Sequence, residues 1–107
     1  MNYILIAVEV SPDKTAAGRL AEVDKVLPVL GKSCHVLNAM WILSTPKTAA
    51  EVFRQLTDQR AAYEAKISLP LLPTDKLIVA PIQPPAEDDE PWQAHNAPTA
   101  VKCFSMP

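Results

Sequence analysis

Few side chains in this sequence have both the type and the position that chemistry requires. Glu9 is the strongest candidate, because it is a carboxylate at the end of the first predicted strand. The alternative is an ordinary strand-end carboxylate that reaches solvent, and it is favoured because no second carboxylate is evidently paired with Glu9. His35 is suited to act as a general base or a metal ligand, but a structural histidine hydrogen-bonded near a helix–strand turn is the favoured interpretation.

Soft metal ligands are present but poorly spaced. The spacing of the two cysteines and two histidines matches no zinc pattern, and there is no C-x-x-C motif, so no metal site is predicted from them. These residues are Cys34, His35, His95 and Cys103. Two cysteines are too few for a disulfide scaffold, so we expect reduced thiols in a cytoplasmic protein. A disulfide that pins the C-terminal region is the alternative left open.

Charge is distributed unevenly along the 107 residues. Residues 1–82 hold nine Lys and Arg against eight Asp and Glu, whereas residues 83–107 hold four consecutive acids against Lys102. The formal net charge of −2 does not indicate a polyanion-binding protein. The apolar stretch from Met1 to Val10 is too short to span a bilayer, so we expect a cytoplasmic protein without a membrane partner.

The hydrophobic patterns predict four strands and two helices. Thr48 and Glu51 have the spacing of a capping box, which predicts the start of the second helix. The predicted helix extends towards Lys66, whereas Pro28 is expected to kink or end the first helix. The predicted elements are a strand at 3–10, a helix at about 15–29, two short strands at 34–38 and 40–44 (or one strand bent near Asn38-Ala39), a helix from 49, and a strand at 76–82.

The order strand, helix, two strands, helix, strand predicts an α+β protein with the ferredoxin-like β-α-β-β-α-β arrangement over residues 1–82. Its antiparallel sheet is expected to carry both helices on one face. Leu5 and Ala7 would then place apolar groups on the other face. A bare apolar face implies a homodimer interface or a covering tail.

Residues 83–107 are predicted to form a Pro-rich acidic arm, because five of the eleven prolines and the four acids lie there. Thr99 to Phe104 is more apolar than a linker requires. Part of 99–105 could therefore add a fifth strand to a sheet edge of its own chain or of a partner.

Three stretches resemble a known group of proteins. They are the segment from Leu30-Gly31 through His35 to Trp41-Ile-Leu, the segment Thr45-Pro-Lys-Thr-Ala-Ala-Glu-Val-Phe-Arg-Gln-Leu56, and the segment Leu72-Pro-Thr-Asp-Lys-Leu-Ile-Val. Over about residues 2 to 82 the chain resembles small, mostly uncharacterised bacterial proteins that are similar to the CRISPR-associated adaptation endonuclease and, more distantly, to VapD-type toxin ribonucleases.

The resemblance implies a metal-dependent nuclease site. In the adaptation endonuclease an Asp ends the first strand, and its two copies face each other across a dimer. The matching residue here is Glu9, which would be a ligand of Mg²⁺ if the chain is a nuclease. The group's Asp-Ser pair before the Trp is Asn38-Ala39 in this chain.

We therefore expect a homodimeric binding or interaction protein with nuclease-like architecture. The alternative is an active RNA or DNA endonuclease of a CRISPR-adaptation or toxin–antitoxin system. Nucleic acid is a possible partner in both.

Overall fold

A computed structural model of the protein describes residues 1–83 together with Asp88, Gln93 and His95. These residues form four strands and three helices. The elements in chain order are β1 (Asn2–Glu9), α1 (Ala16–Leu30), β2 (Lys32–Leu37), β3 (Met40–Thr45), α2 (Ala49–Thr57), α3 (Gln59–Glu64) and β4 (Lys76–Ile82).

The four strands form one antiparallel sheet in the order β2-β3-β1-β4. Ile6 of β1 lies opposite Trp41 of β3, which in turn lies opposite His35 of β2. Glu9, at the end of β1, lies opposite Lys76 at the start of β4. The predicted α+β class with a four-stranded antiparallel sheet and helices is confirmed, and this architecture is consistent with a ferredoxin-like fold.

The main core lies between the sheet and the helices. Both α1 and α2 pack on the same face of the sheet, α1 against β2 and β3 and α2 against β4. This core is built from branched side chains and one tryptophan, all buried: Ile4, Ile6, Val8, Val23, Val26, Leu27, Leu30, Trp41, Leu43, Val52 and Leu56. Trp41 is fully buried.

The opposite side of the sheet, called here the open face, is also apolar. None of the described helices contributes to the cluster of side chains on this side. The apolar members of the open face are Tyr3, Leu5, Ala7, Cys34, Val36, Met40, Ile42, Ile78, Ala80 and Ile82, and the polar residues Glu9, Lys32, Ser44 and Lys76 lie at its ends. The expectation that β1 places apolar groups on both faces is thus met by Leu5 and Ala7.

β2 and β3 form a hairpin around Asn38 and Ala39, so the alternative of one bent strand is wrong. The irregularity in pairing lies between His35 and Leu37, before the turn. The Val8 amide donates a hydrogen bond to the Ala39 carbonyl at 2.9 Å, which ties the turn to β1.

Two helix predictions need correction. Pro28 does not end α1, which continues through it to Leu30; the proline removes one intrahelical hydrogen bond, and the last turn forms without it. The second predicted helix is divided at Asp58, whose carboxylate accepts a hydrogen bond from the Ala61 amide at 2.9 Å and so caps α3. The apolar spacing of Ala49, Val52, Phe53 and Leu56 predicts that all four lie in a buried stripe of α2, but Phe53 is 43% exposed.

The predicted arm at 83–107 and the strand predicted within 99–105 lie outside the described residues, apart from Gln83, Asp88, Gln93 and His95. In the described part of the chain, no helix is long and apolar enough to cross a bilayer.

Candidate functional site

Glu9 lies at the end of β1, on the open face, with a side chain that is 74% exposed. Its carboxylate Oε2 is 3.5 Å from Nζ of Lys76, the residue opposite it on β4. An exposed ion pair of this kind is weak and easily separated. The Glu9 carboxylate is therefore accessible, but its nearest charged neighbour is a cation rather than a second carboxylate.

The Glu9 site of one chain does not provide a metal centre. Among the residues that the structure describes, no group of three His, Cys, Asp or Glu side chains is placed to hold a metal ion. Mg²⁺ needs near-octahedral oxygen coordination, which usually combines carboxylates with several waters. A magnesium site at Glu9 would thus require further ligands from another molecule.

His35 lies on the helix-bearing face, so the sheet separates it from Glu9. Its ring stacks on that of Trp41, with centroids 4.5 Å apart and planes 12° from parallel. Nε2 donates to the Asn38 carbonyl at 3.0 Å, and Nδ1 is 3.6 Å from the carboxylate of Asp24. Asp24 also accepts a hydrogen bond from Nε1 of Trp41 at 3.0 Å. With a neighbour at each ring nitrogen, His35 has the surroundings of a structural histidine.

The most connected polar cluster in the described residues was not predicted from the sequence. The sequence spreads Arg19, Lys25 and their neighbouring cations among acids, which is typical of a solvated helix surface, but Arg19 is only 7% exposed. Its guanidinium donates through Nε to Oδ2 of Asp75 at 2.8 Å, through Nη1 to Asp13 at 3.0 Å, and through Nη2 to the carbonyl of Ser11 at 2.9 Å. Nη1 also donates to Oγ1 of Thr15. The cluster ties the start of α1 to the loop before β4.

Both carboxylates of this cluster titrate below their ordinary range. The hydrogen bond from Arg19, followed by those from Thr15, lowers the pKa of Asp13 to about 2. Burial would raise the pKa of Asp75, but hydrogen bonds from the Ser11 and Leu72 amides and from Arg19 lower it overall. These groups are charged, paired and saturated with hydrogen bonds, so the cluster has a structural role. A possible signal in the sequence was the Pro-Thr-Asp-Lys segment that contains Asp75.

Cys34 is disulfide-bonded, which corrects the expectation of reduced thiols. It lies on the open face and is 6% exposed. His95, the second histidine considered as a ligand, is exposed.

A cleft of about 790 Å³ lies where β1 begins, β4 ends and α2 starts. It contains neither Glu9 nor His35. On the α2 side of the cleft, the Thr48 hydroxyl accepts a hydrogen bond from the Glu51 amide at 3.1 Å. This N–H group at the start of α2 is therefore already paired within the capping box.

Comparison with family models, curated proteins and solved structures finds no match to this chain.

Proposed function

We propose that this chain is a ferredoxin-like protein with a binding or interaction role that self-associates through its open face. The observation that carries the proposal is the exposure of Ile78, which lies in the middle of β4 with 64% of its surface in contact with solvent. The strand order β2-β3-β1-β4, with one helix before β2 and two before β4, supports the ferredoxin-like assignment.

Around Ile78 the surface is apolar. Ile78 pairs with Ala7 on β1, and Leu5 pairs with Ala80. The two alanines leave space for side chains of a second molecule, while Ile78 and Leu5 provide the apolar area whose burial favours association. We call these four residues the β1–β4 strip.

The charges at the end of the strip also suit a symmetric contact. Glu9 and Lys76 lie next to each other, so each copy offers one acid and one base. In a two-fold interface the same patch faces itself, and an acid of one copy can pair with the base of the other. The strip is roughly 10 Å by 10 Å, from the strand spacing and the rise over three residues of each strand, which is far smaller than the about 800 Å² per partner of a standard interface. We therefore expect weak association, in the micromolar range.

Sedimentation velocity over a concentration series tests the proposal. We expect the mass to rise from 11.7 kDa towards twice that value. Ile78→Lys should keep the chain monomeric, because it places a charge in the centre of the strip. Val29→Lys is the matched control, since Val29 is also β-branched and 58% exposed but lies on α1. A wild-type chain that is monomeric throughout, or equal effects of the two variants, would reject the open face as the interface.

A second candidate function is a metal-dependent endonuclease that uses Glu9 from two copies. The position of Glu9 favours it: the carboxylate is accessible and adjoins the strip through which the copies would meet. The resemblance to the adaptation endonuclease also implies that Glu9 would be the metal ligand. The absence of further metal ligands around Glu9 in the described part of one chain is why this function ranks second.

Cleavage assays separate the two functions. The purified chain would be incubated with labelled RNA and DNA in Mg²⁺ or Mn²⁺, beside Glu9→Gln and the control Lys76→Gln, which removes the same ion pair from the other side. We expect no cleavage that depends on Glu9. Cleavage that is lost in Glu9→Gln and retained in Lys76→Gln would establish the nuclease and overturn a purely binding role.

A further inference from the structure

The centre of the β2–β3 half of the open face is less exposed than the β1–β4 half. On the β2–β3 half, Cys34, Val36 and Ile42 are 6%, 8% and 2% exposed. On the β1–β4 half, Ile78 is 64% exposed. Side chains on a bare sheet face keep one side in water, so the low values on β2 and β3 require something to lie over them.

The described elements do not supply this cover. α1 and α2 pack on the other face, and the loop between α3 and β4 joins the same core through Ile67 and Leu71. In residues 1–83, the side chains clustered around Cys34, Val36 and Ile42 all come from strands. The part of the chain left to provide the cover is the C-terminal region that follows β4.

The disulfide at Cys34 indicates which segment this is. Cys34 is disulfide-bonded, and the sequence contains one other cysteine, Cys103. We infer that the segment from Thr99 to Phe104 lies across the β2–β3 half of the open face of its own chain, joined to Cys34 through Cys103. This inference goes beyond the proposed function and does not depend on it.

The chain can reach this position, and its composition suits it. From Ile82 to Cys103 there are 21 residues, which can span up to roughly 70 Å when extended, whereas three strand spacings are about 14 Å. In an extended segment Val101 and Cys103 project to the same side, so both can face the sheet. Lys102 would project away from the sheet.

Formation of the disulfide is an exchange reaction with a small-molecule disulfide. One cysteine thiolate attacks it and releases one small thiol, and the second cysteine thiolate then displaces the other small thiol as the Cys34–Cys103 bond forms. The two cysteines are oxidised and the small disulfide is reduced to two thiols. An excess of a small dithiol reverses the reaction and would free the segment.

Peptide mapping tests the covalent link in the full chain. The protein would be alkylated without reduction, digested and analysed by mass spectrometry. We expect a cross-linked pair of peptides that contain Cys34 and Cys103, from protein that runs as a monomer on a non-reducing gel. Alkylation of both cysteines, or a covalent dimer, would overturn the inference.

Hydrogen exchange tests the docking itself. In the oxidised chain, amides within 99–104 should exchange at least tenfold more slowly than in the reduced chain or in Cys103→Ser. Val101→Asp should abolish this protection and raise the fluorescence of a dye that binds apolar surface, whereas the matched control Lys102→Asp should do neither. Random-coil exchange in the oxidised wild type, or equal behaviour of the two Asp variants, would show that the segment does not lie on the face.

Discussion

Asp75 illustrates how a single buried carboxylate can join two distant parts of the chain. Its side chain has no exposed surface, and each oxygen accepts two hydrogen bonds. Oδ1 accepts from the Ser11 amide at 2.8 Å and from Nη2 of Arg19 at 3.2 Å. Oδ2 accepts from Nε of Arg19 and from the Leu72 amide, both at 2.8 Å. All four neighbours are donors, so the site needs a group with two acceptor oxygens.

Asp75→Asn should therefore destabilise the fold strongly. The new amide group would place its N–H₂ against N–H donors and leave Arg19 without its buried partner. Breaking a buried ion pair in this way costs about 3 kcal/mol or more, which corresponds to a fall in Tm of roughly 12–24 °C for a domain of this size. Thermal unfolding followed by circular dichroism would measure it.

The control is Asp58→Asn, the same substitution at the cap of α3. Asn caps helices as well as Asp, so its Tm should stay close to that of the wild type. A fall for Asp75→Asn no larger than that for Asp58→Asn would show that Arg19 and Asp75 contribute little to stability.

Asp13 should make the free energy of unfolding depend on pH in the acidic range. Its pKa is about 2 in the folded chain against 3.8 in the unfolded chain, because Arg19 and Thr15 stabilise the charged form. A group whose folded pKa is lowered contributes its full stabilisation above the unfolded value and loses it as the pH falls through the folded value. The free energy of unfolding should thus fall between about pH 4 and pH 2, as measured by urea denaturation.

In Asp13→Asn the same titration should show a smaller fall over this range, because the residue no longer binds a proton. The residual fall would come from Asp75, whose pKa is also lowered. Identical slopes for the variant and the wild type would contradict a contribution from Asp13.

This cluster shows the limit of prediction at the scale of single residues. Glu9 and His35 were selected by type and position, and nothing in the sequence indicated that the sheet would separate them. In the sequence Arg19 looks like Lys25, the other cation of α1, and its burial depends on a loop residue 56 positions away. A contact over that distance leaves no local pattern in the sequence.

At the scale of elements, the junction between α1 and β2 depends on how closely Gly31 approaches β3. Thr45 donates through Oγ1 to the Leu30 carbonyl at 2.9 Å, which holds the end of α1 against β3. A Cβ placed on Gly31 would meet the Ser44 carbonyl oxygen and lie 2.9 Å from Cβ of Thr45. Its backbone is extended, so space rather than conformation requires a glycine here.

The two glycines of the chain should consequently respond in opposite ways to alanine. Gly31→Ala should cost about 1–3 kcal/mol, as overpacking does elsewhere. Gly18→Ala should raise stability by about 0.5–1 kcal/mol, because Gly18 lies in α1 and no atom lies within 4 Å of the added Cβ. Urea denaturation of both variants would measure this, and a change of the same sign in the two would contradict the account.

Local signals explain which elements were predicted well. The capping box at Thr48 and Glu51 correctly placed the start of α2, since both hydrogen bonds of the box are formed. The break at Asp58 was missed because the apolar pattern continues across it, and the capping residue is recognisable only once α3 is seen. The hairpin turn at Asn38-Ala39 was ambiguous because it lacks the Asn-Gly or Asp-Gly sequence of the commonest type.

At the scale of the molecule, the two proposals assign two occupants to the open face. The inferred C-terminal segment covers the β2–β3 half, and the proposed partner contacts the β1–β4 strip. The sequence predicted an apolar second face from Leu5 and Ala7, but not that Ile42 and Ile78 would differ so strongly in exposure. The composition of a strand indicates that its faces are apolar. The exposure of each residue on a face depends instead on which other segments pack over it.

This division couples the redox state of Cys34 to self-association. While the disulfide holds the segment in place, a second copy can use only the strip. Reduction should release the segment and open the whole face, so the dissociation constant of the dimer should fall at least tenfold. Burial of roughly 60 Å² more apolar surface is enough for that change.

Sedimentation velocity with and without a small dithiol would measure the dissociation constant. Cys103→Ser should associate as tightly as the reduced wild type, and its association should not change when the dithiol is added. Dimers that weaken on reduction would instead mean that the segment itself belongs to the interface, and an unchanged constant would mean that it does not compete with the partner.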